Sequence, residues 1–226
     1  MATTDKTAAI DPALLGERLV QALYAFIAAQ GLGILAKVNE MRVLGALDPK
    51  ATLEVGTKLP ITPQQELMMM GGSLMGLIAT IVAGSLFLKW TYRVNKNAKI
   101  LAPDKPVSAG WSIGWYFVPI AYLWLPYKAM SETWRISADP KNWKTAQVGS
   151  VLRWWWGAVL LASMVANLYV QMAMTAANAG AMIAADKFAI LMALSVIPLS
   201  LLMVGVVRSI TALQARRFTA GRLTLT

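Results

Sequence analysis

Neither histidine nor cysteine occurs among the 226 residues. That absence excludes disulfides, His- or Cys-ligated haem, zinc sites of the usual types, iron–sulfur clusters, Ser-His-Asp triads and cysteine nucleophiles. Charge is scarce too: 14% of residues are charged, against about 25% in an ordinary soluble domain. No acidic residue falls inside the long apolar runs, where an intramembrane carboxylate would mark a proton relay or ion path. No P-loop, G-x-G-x-x-G fingerprint or RNA-binding signature is found, and nothing calls for a cofactor or a metal. The net charge of +10 would suggest nucleic acid in a soluble protein. Here the positive-inside bias of membrane proteins explains it, and no nucleic-acid partner is expected.

What is abundant is uninterrupted apolar sequence. Four stretches carry no charge: Leu19 to Ala36, Leu67 to Leu88, Trp154 to Ala185 and Phe188 to Val207. Each is long enough to cross a bilayer as a helix of about 18 residues or more. The chain therefore reads as a single all-α integral membrane domain, with spans over 13–38, 64–90, 150–177 and 187–210. Asp11-Pro12 supplies an N-cap and a first-turn proline for the first span. Thr62-Pro63 repeats that start, with Gln65 placed for a capping box. Gly45, Asp48-Pro49, Gly56 and Pro60 mark 41–61 as a loop. The first span lacks a basic n-region and reads as a retained helix, not a signal peptide.

A fifth apolar segment, Trp111 to Tyr127, is broken by Pro119 and Pro126 and loosened by Gly110 and Gly114. Its 17 residues barely reach the length of a span. If it dips into the membrane and returns, all basic residues from Lys89 to Arg153 share one side. Lys and Arg then divide sixteen to five across the membrane. That asymmetry orients the chain with four spans and both termini cytoplasmic.

All nine tryptophans lie between Trp90 and Trp156, in the cytoplasmic interfacial module 91–149 and its borders. Indole rings favour the headgroup level, so anchoring is the plain explanation. The alternative is a platform for a lipid headgroup or a partner protein. After Pro126 a short amphipathic surface helix is expected, with Tyr127, Met130 and Trp134 on one face. Lys128, Glu132 and Arg135 form its polar face, within reach of one another. Arg135 is expected to point at the headgroup or partner zone, and Asp139-Pro140 to begin another helical turn. The platform candidates are Arg93, Asn97, Trp115, Trp124, Tyr127, Glu132, Trp134 and Arg135.

The run GWYFVPIAYLWLPYKAMSETWRIS, from Gly114 to Ser137, resembles the signature of a family of bacterial membrane proteins, domain of unknown function 4328. The W-x-x-R-x-x-x-N-A element at Trp90, Arg93, Asn97 and Ala98 is similar to the family's upstream element. So are Pro-Lys-Asn-Trp at 140–143 and the tryptophans that follow. The resemblance covers about residues 85–210. It implies the membrane architecture and no particular activity.

Within the spans, Gly72, Gly76, Thr80 and Gly84 recur every four residues. Ala25, Ala29 and Gly33, and Ala158, Ala162 and Ala166, do the same. Small-residue stripes let helix backbones approach, so packing within the chain is expected first and a homodimer face second. Gln30, Asn167 and Gln171 are expected to hydrogen-bond across helices. Met68, Met69 and Met70 are expected to fill space or face lipid, although methionine is adaptable enough to line a ligand groove. Pro198 predicts a kink in the fourth span.

Three functional classes follow in rank order. The first is a non-catalytic interaction protein, either an accessory or scaffold subunit of an inner-membrane assembly or a homo-oligomer. The second is a lipid- or amphiphile-binding protein or transporter using 111–135. The third is an intramembrane enzyme relying on Glu132, Asp104, Arg93, Arg135 or a serine, which no spacing specifies.

Overall fold

The computed structural model describes residues 11–52 and 61–223. Gly56, Pro60 and the charges at Lys6 and Lys58 that enter the topology argument lie outside them, as does the side chain of Arg222. The described residues form six helices: α1 Ala13–Leu44, α2 Pro63–Leu101, α3 Ala109–Gly114, α4 Leu125–Ala138, α5 Ser150–Thr175 and α6 Ala179–Leu223. Two 3-10 turns, Trp115–Phe117 and Ala121–Leu123, lie between α3 and α4. The β-structure among the described residues is an isolated bridge between Thr52 and Asn178. Four helices, α1, α2, α5 and α6, are long and apolar enough to span a membrane. The protein is a multi-pass membrane protein.

The helix starts follow from their caps. Asp11 Oδ1 accepts from the Ala13 amide at 2.9 Å. The Thr62 amide donates to Gln65 Oε1 at 2.8 Å and the Gln65 amide to Thr62 Oγ1 at 3.3 Å, the reciprocal capping box. The helix ends differ from the expected spans. Helix α1 runs on to Leu44, α2 to Leu101, and α6 begins at Ala179 and reaches Leu223. The 39 residues of α2 rise about 58 Å, nearly twice a hydrocarbon core of about 30 Å. Charge ends a membrane span, but Lys, Arg, Asn and Gln do not end a helix.

The chain divides into two compact units. One comprises residues up to Ala22, Ala83–Trp156 and Leu202 onward; the other comprises Leu23–Val82 and Gly157–Leu201. In the first unit Leu19, Trp90, Val94, Met130, Ile136, Leu152, Val206 and Ile210 are buried. The second unit has an alanine-rich interior, with Ala29, Ala36, Ala162, Ala185, Ala189 and Ala193 buried. There Gly72 meets α1 closely, since a Cβ on it would lie 3.2 Å from Ala36 Cβ.

The rest of the glycine stripe does not pack in this way. A Cβ on Gly76 or Gly84 would have no neighbour within 4 Å. The exposed Thr80 hydroxyl donates to the Gly76 carbonyl of its own helix at 2.7 Å. Asn167 likewise donates to the Ser163 carbonyl one turn back, at 3.0 Å. A carbonyl in the same helix was the nearer acceptor, so the cross-helix bond expected of Asn167 is not the one made.

Candidate functional site

The interfacial module belongs to the first unit, and its frame is polar. Helices α2 and α6 meet through polar side chains. The Trp90 indole donates to Thr211 Oγ1 at 3.2 Å, and Asn97 Nδ2 donates to Gln214 Oε1 at 3.0 Å. Gln214 Nε2 in turn donates to the Val94 carbonyl at 2.9 Å and to Ser137 Oγ at 3.1 Å. One glutamine thereby joins α2, α4 and α6. Its side chain uses both ends, as burial of an amide demands.

A second cluster lies around Asn95, which is fully buried. Its Oδ1 accepts from Lys105 Nζ at 3.0 Å and lies 2.7 Å from the Thr133 hydroxyl. Its Nδ2 donates to the Thr91 carbonyl at 2.9 Å. Lys105 also donates to the Val107 carbonyl at 2.9 Å and faces Glu132 Oε2 at 3.6 Å. Burial pushes the Lys105 ammonium down to about 8, against the opposing pull of Glu132. With no exposed surface, this lysine serves as a strut between the 102–108 turn and α4.

Helix α4 is therefore not a surface helix. Ala129 through Trp134, with Ile136 and Ser137, are buried. Glu132, Thr133 and Ser137 turn inward, where Lys105, Asn95 and Gln214 supply matching partners, while Lys128 stays exposed. The expected pairing of Glu132 with Lys128 and Arg135 is replaced by the pair with Lys105. Arg135 is half-buried, and its Nε is enclosed without a hydrogen-bond partner. The expectation that Arg135 simply points outward is corrected accordingly. Trp134 lies flat on Gly149, where a Cβ would come within 2.4 Å of the ring. After α4 the chain makes a turn, not a further helix. Asp139 accepts from the Asn142 side-chain amide at Oδ2 and from the backbone amides of Asn142 and Lys141 at Oδ1, and those bonds, the side-chain one foremost, hold its carboxyl below the usual range.

On this frame stands a hairpin. Helix α3 starts with Ser108, whose Oγ accepts from the Trp111 amide at 3.3 Å. The Trp111 and Trp115 rings stack at 4.4 Å. The chain then reverses at Pro119-Ile120-Ala121. Ile120 adopts φ 67° and ψ −55°, and the Ala121 amide donates to the Pro119 carbonyl at 2.7 Å. This is a γ-turn with positive φ, a rare and strained conformation. The returning strand of the hairpin is pinned where the Trp156 indole donates to the Leu123 carbonyl at 3.1 Å. Tyr127 lies against Trp156, with ring centres 6.2 Å apart.

The eight platform candidates separate. Asn97, Glu132 and Trp134 are interior; Arg93, Trp115, Tyr127 and Arg135 are half-buried; Trp124 is exposed. Exposed apolar side chains instead include Trp111, Phe117, Ile120, Leu123 and Trp124 along the hairpin, together with Trp154. Phe117 and Ile120 are 73% and 70% exposed, more than the tryptophans beside them. Tryptophan counting favoured anchors over the tip. The Val118-Pro119 break marked the turn but not which side chains it would present. Lys105 and Gln214 left no trace in the pattern, since a loop lysine and a helix glutamine are ordinary solvent-facing residues.

Among the described residues, no group of three or more His, Cys, Asp or Glu could hold a metal ion. The family model described as Domain of unknown function (DUF4328) matches residues 64–212, from the start of α2 into the last turns of α6. No curated protein and no solved structure matches the chain.

Proposed function

The chain belongs to the DUF4328 family, and from that premise we propose a non-catalytic interaction protein, an accessory or scaffold subunit of a bacterial inner-membrane assembly. The observation that carries this reading is the exposed apolar hairpin tip, formed by Phe117, Ile120, Leu123 and Trp124. Contiguous exposed apolar side chains mark sites of membrane or protein contact. The strained γ-turn and the buried polar frame support the same reading, because a rigid presenting loop loses little entropy on docking. In this orientation the hairpin and both termini face the cytoplasm. The partner is another membrane protein or a second copy.

The test is photo-crosslinking from position 117 in intact cells, followed by purification in mild detergent. A single cross-linked protein band that disappears in Trp124→Ala, with insertion and melting unchanged, supports docking. Cross-links to lipid alone would favour the second reading, a lipid- or amphiphile-binding protein using 111–135. That alternative draws on the stacked Trp111–Trp115 pair and on the exposed Lys128, which suits anionic headgroups.

A further inference from the structure

The second unit holds a cleft of about 800 Å³. Its walls are α1 from Ala29 to Glu40, α2 from Met69 to Thr80, and Ala189 to Ala193 of α6, with Tyr169 of α5. Eleven helical steps, from Ala29 to Glu40 or from Met69 to Thr80, advance about 16 Å. That is the depth of one leaflet of a hydrocarbon core about 30 Å thick. The cleft has the length of a single acyl chain reaching from the interface to the bilayer centre.

Its ends differ chemically. Away from Lys37 the lining is largely apolar, with Ala29, Leu77 and Ala193, and also carries Gln30, Thr80 and Tyr169; Gly33 and Gly76 face open space. At the other end, on the side of the α1–α2 loop, Lys37 Nζ contacts Glu40 Oε2 at 2.7 Å and Asp186 Oδ1 at 2.8 Å. Two carboxylates face one ammonium, which leaves a surplus negative charge in the cluster; Lys37 and Glu40 line the cleft, and Asp186 stands behind Lys37. Asp186 is 4% exposed, and its Oδ2 is buried without a hydrogen-bond partner. A buried acceptor left in this state is costly until a donor reaches it.

We propose that this cleft binds a lipid of the surrounding bilayer that carries a primary ammonium headgroup, as in phosphoethanolamine lipids. One acyl chain fills the space between α1, α2 and α6. The ammonium donates to Glu40, drawn by the surplus negative charge of the cluster, while the phosphate stays in the interface beside Lys37. A quaternary choline offers no N–H donor, so the site discriminates by hydrogen bonding and not by charge alone. The proposal does not depend on the hairpin reading.

The experiment uses the full chain in detergent, exchanged into micelles doped with ethanolamine, choline or glycerol phospholipids of identical acyl composition. Bound lipid is counted by native mass spectrometry. The ethanolamine lipid should be retained about tenfold more than the choline lipid, the ratio that one charge-assisted hydrogen bond supplies. Glu40→Gln should bring the two towards equality. Gly33→Leu and Gly76→Leu grow into open space, should fold normally, and should lower retention of every lipid. Equal retention of ethanolamine and choline lipids by the native chain overturns the proposal. So does undiminished ethanolamine lipid in both leucine variants at native melting temperature. Loss of a dimer in Gly76→Leu without loss of lipid would also overturn it, assigning the cleft to a second copy.

Discussion

Lys105 Nζ and Glu132 Oε2 face each other at 3.6 Å with almost no access to water. The pair joins the turn after α2 to the middle of α4. Removing one member leaves a buried charge alone, at a cost of about 3–5 kcal/mol. Glu132→Gln should therefore lower the melting temperature sharply in detergent. The paired replacement Lys105→Met with Glu132→Leu should cost less than the two single changes added together. A strictly additive double mutant would show that the two side chains do not act on each other.

The same lysine predicts a pH effect. Its native value, near 8, is below its ordinary one of 10.5, so between these values the unfolded chain holds more protons. Stability contributed by this group rises with pH across that window and falls as pH drops back towards 8. The melting temperature of the native chain should gain on that of Lys105→Met from pH 8 to 10. A constant difference would contradict the depressed value.

Gly149 tests the seat of Trp134. A methyl group there would overlap the ring, so Gly149→Ala should destabilise by about 1–3 kcal/mol and shift tryptophan emission. Gly76→Ala, with nothing nearby, is the control and should stay within about 0.5 kcal/mol. Equal melting of the two would dispute the packing.

The strained turn separates stability from docking. Ile120→Gly frees a conformation that costs a β-branched residue about 1–3 kcal/mol. The variant should melt higher, yet lose cross-linking at the hairpin because the exposed side chain is gone. A lower melting temperature would argue that the isoleucine side chain supports the hairpin.

Topology can be read by thiol labelling, because the chain has no cysteine of its own. Ser108, Lys141 and Lys50 are exposed and accept cysteine. Ser108→Cys and Lys141→Cys should react from the same side, and Lys50→Cys from the other. Labelling of 108 and 141 from opposite sides would mean that 111–127 crosses the membrane.

The sequence displays its spans openly because a bilayer demands long uncharged runs, and the caps at Asp11 and Thr62 are chemically explicit. The breaks at Pro119 and Pro126 likewise announce a segment that is not one helix. Burial of polar residues is what stays hidden. Glu132, Thr133 and Ser137 give no sign of burial by periodicity, since their partners arrive from positions 105, 95 and 214. Arg135→Ala, by charge alone a mild change, should cost more than a surface substitution because part of its guanidinium is enclosed.

Gln214 stands 120 positions beyond Val94 and 77 beyond Ser137. During synthesis, α2 and α4 emerge with their polar groups prepared for a partner that does not yet exist. Only when the far part of α6 leaves the ribosome can the interior of the first unit close. A chain ending before this glutamine would leave the Val94 carbonyl, Asn97 and Ser137 without the side chain that joins them.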